Sequence, residues 1–191
     1  MALRIKRQSD TRQVPCIAHR IADIPGGVTV DISTLGGPIL LEGTPIAVGT
    51  AGKYNVCKTA KIVTAAAIDA VAYEVAKGHH FKVGQFLGTG SVAYAITAID
   101  KTGADKDVIT LGTTLGVVLA VGTVVYEAAG ASAAAAVAIN TTPLAIVGSS
   151  YDVVASENLI CEAFVIAVVK EASAVPVLAA QKTALKSIIY I

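Results

Sequence analysis

Tryptophan is absent from this chain, methionine occurs once, and charged residues make up only 15% of its 191 positions. Ordinary soluble domains carry about 25% charge. Each scarcity excludes something. Without Trp, six scattered tyrosines (Tyr54, Tyr73, Tyr94, Tyr126, Tyr151, Tyr190) offer little of the aromatic platform on which a sugar ring would stack. The aromatics also lie too far from the basic residues to build a nucleic-acid stacking surface, so no nucleic-acid partner is expected. A chain this poor in charge cannot cover a monomer's surface with ionic groups. Apolar area is therefore expected to be buried between copies, in a homo-oligomer. Cys16, Cys57 and Cys161 are odd in number and widely spaced, which is neither a disulfide framework nor a zinc pattern. Buried free thiols, in a protein made in a reducing cytoplasm, are the expectation.

The few charges are unevenly placed. All four arginines (Arg4, Arg7, Arg12, Arg20) fall in the first twenty residues, together with Lys6. Five cations against Asp10 alone give this segment +4, and the rest of the chain then sums to −3 of the overall +1. Residues 1–20 accordingly read as a basic arm that docks onto something acidic, and residues 21–191 as the body. The opening MALRIKRQSD has no apolar core behind its basic residues, so it is not a secretory signal.

Glycine is plentiful, and it punctuates the body. IPGGVTVDISTLGGP (24–38) sets paired turn signals around a short β segment, VTVDIS. From Ala70 onward AVAYEVA, HFKVGQFL, VAYAITAID, DVITLG, LGVVLA and TVVYEA follow one another as predicted strands between glycine turns. NLICEAFVIAVVK (158–170) is apolar on both faces, as in a strand buried on both sides. VPVLAAQKTALKSIIYI (175–191) predicts a short helix and then a final β segment. The fold class expected is mainly β: a compact barrel or sandwich with an N-terminal arm and a short C-terminal helix. The alanine-rich EAAGASAAAAVAIN (127–140) lacks polar positions at helical spacing, so it reads as a short helix or a packed loop. Residues 108–126, VITLGTTLGVVLAVGTVVY, carry no charge over a length that could span a bilayer. Glycine and threonine interruptions, β-branched residues and acidic flanks (Asp107, Glu127) argue against a membrane helix.

KGHHFKVGQFLGTGS (77–91) is the stretch that most resembles chemistry. Neighbouring side chains of a strand point to opposite faces, so His79 and His80 cannot share a metal, and no Cys or further His is spaced to help. A packed role for one histidine and a surface or inter-subunit role for the other is expected. Gly84, Gly88 and Gly90 match no phosphate-loop pattern, and a strand follows them where such a loop would open a helix. Gly88-Thr89-Gly90 reads instead as a tight turn. Asp100, Asp105 and Asp107 fail the calcium-loop spacing, with Lys101 and Lys106 competing, so a solvated hairpin is favoured. No catalytic, metal or cofactor site is expected.

AHRIADIPGGVTVDISTLGGPILLEGTPIAVG, NVCKTAKIV, YEVAKGHHFKVGQFL, AYAITAIDK and KDVITLGTTLGVVLAVGTVVYEA together carry a resemblance running from about His19 to the C-terminus. The chain resembles the head fibre or capsid decoration proteins of tailed phages, including crAss-like phages. Residues 128–138 match no pattern of that family. The resemblance implies a non-enzymatic virion protein on the outer capsid surface, partnered by the major capsid protein and assembled as a homo-oligomer, a trimer. The family carries no catalytic residues across. From charge rather than from the resemblance, Arg4, Lys6, Arg7, Arg12 and Arg20 are expected to grip the capsid. A receptor- or glycan-binding module would share the β architecture, and a hydrolase built on Cys57 or Cys161 is the enzymatic rival.

Overall fold

Short apolar stretches between glycine turns become strands, and they sort into two β units. The computed structural model describes residues 14–133, 137–155 and 158–191. In the first half of the chain lie β1 (Ile17–Asp23), β2 (Val28–Val30), β3 (Ile39–Leu40), β4 (Pro45–Val48) and β5 (Tyr54–Val56). The middle holds β6 (Thr59–Lys61), β7 (Ala72–Ala76), β8 (Phe86–Gly88), β9 (Ala93–Asp100), β10 (Lys106–Leu111) and β11 (Val124–Ala128). The last third supplies β12 (Ala145–Val147), β13 (Tyr151–Asp152), β14 (Leu159–Cys161), β15 (Ala163–Val169), helix α1 (Ala179–Ala184) and β16 (Ile188–Tyr190).

The outer thirds interleave into one sheet in the order β1-β15-β12-β4-β5-β2-β14, with β16 running parallel beside β15. β3 and β13 pair separately. The middle third forms its own sheet, β6-β11-β8-β9-β10-β7. A bridge between Ile62 and Val75 joins its two end strands, and Val63 N–H donates to the Glu74 carbonyl at 3.0 Å. This sheet therefore curls round on itself into a small barrel, inserted between two halves of the first sheet. The expected class, mainly β with one short C-terminal helix, is the class observed.

Each unit has its own core. Alternation along β10 sends Ile109 and Leu111 inward, where they meet Ile62, Tyr73, Phe81, Leu87, Ile96 and Val125 inside the barrel. In the first sheet, Ala145 and Val147 of β12 face a cluster with Val30, Leu40, Ile46 and Val56. Ile146 points the other way, onto Cys16, Phe164, Leu185 and Ile188. The C-terminal segment thus covers the second face, which is why β12 is buried on both sides. Helix α1 starts just after Pro176, and the Gln181 side chain reaches back to accept Leu178 N–H at 3.1 Å.

Several expected strands are shorter in the structure or absent from it. Of HFKVGQFL only Phe86–Gly88 is a strand, because turns at Gly78 and Gly84, both at positive φ, break residues 77–85. LGVVLA is a connection rather than a strand, with Leu115 and Leu119 buried in the barrel core, a bridge from Leu119 to Ala66, and Leu115 N–H donating to the Tyr73 hydroxyl at 3.1 Å. VTVDIS ends as a strand at Val30, where the Asp31 carboxylate accepts Ser33 N–H at 3.0 Å and opens a 3-10 turn. The segment 158–170 is not buried throughout, since Ile160 and Ile166 are exposed. Among the described residues of the alanine-rich stretch there is no helix. Ser132 and Ile139 bridge to Ala93 and Ala128, an ordered loop against the barrel. The division placed at residue 20 falls inside β1, which pairs with β15 from Ile17 to Asp23.

Candidate functional site

The basic arm is the site the sequence nominates. Arg4, Lys6, Arg7 and Arg12 lie outside the described residues. Arg20 lies on β1, and its side chain braces the sheet: Nη2 donates to the Gly148 carbonyl at 2.8 Å. Its guanidinium also sits 3.9 Å from the Glu162 carboxylate and 5.5 Å from the centre of the Phe164 ring. About half of the side chain remains exposed, so it can still meet a partner.

The histidine pair lies where the barrel meets the first sheet, and both members are buried, at 4% and 3% exposure. This corrects the expectation of a surface histidine. That expectation assumed a strand, and residues 79–80 follow the turn at Gly78 instead. His79 Nδ1 accepts Phe81 N–H at 3.3 Å, and its Nε2 is 3.1 Å from Asp107 Oδ2, close but poorly aligned for a hydrogen bond. Lys77 Nζ reaches the other oxygen of Asp107 at 2.7 Å. His80 Nδ1 accepts Gly37 N–H at 3.2 Å, while its Nε2 is buried without a partner.

Loop 33–37 of the first sheet is clasped here. Lys82 and Lys101 donate to the carbonyls of Ser33 and Gly36. The backbones approach so closely that a Cβ on Gly36 would stand 2.3 Å from the Phe81 carbonyl oxygen. Burial pushes the His79 pKa down to about 4 and that of His80 down to about 3. The His79–Asp107 pair has the outline of a base and its orienting carboxylate. The nitrogen a nucleophile would use, however, already accepts a backbone N–H, so the arrangement ties the loop together.

A groove of about 510 Å³ runs along the same junction, lined by Thr59, Lys61, Lys77, His79, Pro176 and Tyr190 among others. Two of its lysines are already matched, Lys77 by Asp107 at 2.7 Å and Lys182 by Glu171 at 2.5 Å. Thr59 Oγ1 donates to the Pro176 carbonyl across it. One further pair carries no motif that would single it out. Lys58 and Glu127 are both buried, 3.7 Å apart, and burial holds the Lys58 pKa below its usual value.

Cys16, Cys57 and Cys161 are all free and buried. Burial raises their thiols to about 12, 11 and 11 respectively, which suppresses the thiolate that chemistry would need. We expect no labelling of the native protein by a maleimide at pH 7.5 within minutes, and three labels per chain in denaturant. Rapid native labelling of Cys57 or Cys161 would contradict this and revive the hydrolase reading.

The Asp-rich loop is a hairpin between β9 and β10, with Asp100 Oδ1 accepting from both Thr102 N–H and Thr102 Oγ1. Among the described residues no three His, Cys, Asp or Glu side chains gather as metal ligands. Residues 108–126 are β10, a connection and β11, and no helix among the described residues is long and apolar enough to cross a membrane. All six tyrosines are buried or half-buried. Among known proteins, no family model, no curated protein and no solved structure matches this chain.

Proposed function

We propose that this chain is a structural virion protein without catalytic activity, a head fibre or decoration protein on the outer surface of a phage capsid. It stabilises the shell or presents a surface to the host environment. The observation that carries the reading is the separation of charge: a +4 arm precedes a body of net −3. The body supports it, because its buried titratable side chains act as internal braces and its thiols are suppressed. The major capsid protein is the acidic partner. Arg4, Lys6, Arg7, Arg12 and Arg20 contact it, with Arg20 held on β1 and the others preceding it.

Each arm offers only a few exposed ion pairs, individually weak and screened by salt. A homo-oligomer, a trimer on this reading, multiplies them. Once one arm is bound, the others act at high effective concentration, and avidity rises by about 10²–10⁴ without any new contact. Deleting residues 1–15 is expected to lower co-sedimentation with capsids at least about tenfold, and raising the salt should weaken the intact protein in the same assay. Undiminished binding by the truncated chain would remove the arm from its assigned role.

A further inference from the structure

The uncharged run at 108–126 has a structural consequence at one end of the barrel. β10 starts at the junction with the first sheet, at Lys106, and runs away from it to Leu111, beside the start of β7 at Ala72. Lys61 at the end of β6 and Val124 at the start of β11 pair with each other and still line the junction groove. Residues 63–71 connect β6 to β7 and residues 112–123 connect β10 to β11, and together they form the far face, with Gly122 reaching back to the groove.

The two connections are fastened to each other. Ala66 and Leu119 exchange both backbone hydrogen bonds, at 2.9 and 3.0 Å, and Thr114 Oγ1 donates to the Ile68 carbonyl at 2.6 Å. Leu111 N–H donates to the Val71 carbonyl at 2.8 Å. Leu115 and Leu119 anchor this layer in the barrel core. Above them Ile68, Val71, Val118 and Val121 stand 58%, 43%, 68% and 64% exposed. Asp69 is the one charged residue in the two segments. Four branched aliphatic side chains on a hydrogen-bonded, nearly charge-free face are unusual for a free surface.

We propose that this far end of the barrel is the face through which copies of the chain associate, an inference that rests on the oligomeric reading above. Charge matching selects the occupant. Asp69 within the two segments and the exposed Lys61 at their rim beside Gly122 are all the face has with which to pair a charged partner, so its partner must be nearly free of charge. A rotation axis supplies such a partner by setting each patch beside its own copy, and the like-charge penalty is then confined to Asp69 and Lys61. Because the face is already fastened by hydrogen bonds, little ordering opposes its burial.

The test is light scattering and dilution on the full chain, on the double variant Val118→Glu/Val121→Glu, and on Ile160→Glu as a control at an exposed site of the first sheet. The unaltered protein and the control are expected to keep an oligomeric mass. The double variant should fall to the mass of one chain, with association at least tenfold weaker and an unchanged melting temperature. If the glutamates lower the melting temperature, Val118→Thr/Val121→Thr replaces them and should still weaken association. In the unaltered protein, hydrogen exchange in 63–71 and 112–123 should speed up on dilution. An oligomeric double variant with dilution-independent exchange would overturn the assignment of this face while leaving the oligomer standing. An oligomeric double variant that no longer binds capsids would overturn it in favour of a capsid contact. A single-chain mass for the unaltered protein would overturn the oligomeric reading itself.

Discussion

Between pH 6.5 and pH 4 the protein is expected to lose stability steeply, through the two imidazoles buried at the junction. In the unfolded chain His79 and His80 take up protons near pH 6.5, whereas in the folded protein burial delays this to about 4 and about 3. Within that window the unfolded state binds up to two more protons. The free energy of unfolding then falls by up to ~2.7 kcal/mol for each pH unit descended, and the contribution is fully present only above pH 6.5. Two pH units of such loss compare with the whole stability of an ordinary domain, about 5–15 kcal/mol. Neighbouring charges act in both directions: Asp107 favours a proton on His79, while Lys77 and Lys101 oppose it, and Lys58 and Lys101 oppose one on His80. Denaturant titrations at half-unit steps from pH 7.5 to 4 would measure the slope. His80→Asn keeps an acceptor for Gly37 N–H but cannot titrate, so it should flatten the slope by about one proton. A midpoint that does not move between pH 7 and 4, or an unchanged slope in His80→Asn, would contradict the burial of these rings.

Glu127→Ala is expected to cost about 3–5 kcal/mol, because it strands the Lys58 ammonium where water does not reach. The main-chain bonds of β11 at this position, Glu127 N–H to the Lys58 carbonyl and Asn140 N–H to the Glu127 carbonyl, survive the substitution. The loss therefore reports on the side-chain pair. Desolvation of two ions largely cancels their attraction, so the intact pair is worth far less than the single truncation suggests. Replacing both together, Lys58→Met with Glu127→Leu, should recover most of the loss, leaving stability within about 1 kcal/mol of the unaltered protein. Urea unfolding of the two variants decides it. A Glu127→Ala cost below about 1 kcal/mol would show that water or another anion reaches Lys58.

The repeating strands were legible because glycine turns and two-residue alternation are local signals. The β9–β10 hairpin, β11 and the closing α1 and β16 all follow from such patterns. The pairing of distant strands left no comparable mark. β1 lies against β15 across some 140 residues of chain, and nothing in either stretch encodes the other, so the insertion of the barrel between two halves of a sheet was not readable. The burial of the histidines is equally unreadable locally: the loop that covers His80 comes from Gly37, forty-three positions earlier. Lys58 hid behind the rule that lysines sit in water, since its partner lies on a different strand. Arg20 belongs with the arm by position along the chain, and strand pairing sets it on β1, where half of its side chain remains exposed. In contrast, the uncharged run at 108–126 is plain in the sequence, whereas its division into side chains that fill the barrel and side chains that stand on the surface is set by the fold.

On this reading the apolar exterior of this chain is covered by further copies of itself. The direct measurement is the solution mass of the purified full-length protein at micromolar concentration and neutral pH. A stable multiple of 19.3 kDa, threefold for the trimer, is the predicted result. A single 19.3 kDa species that stays dispersed on concentration would contradict it.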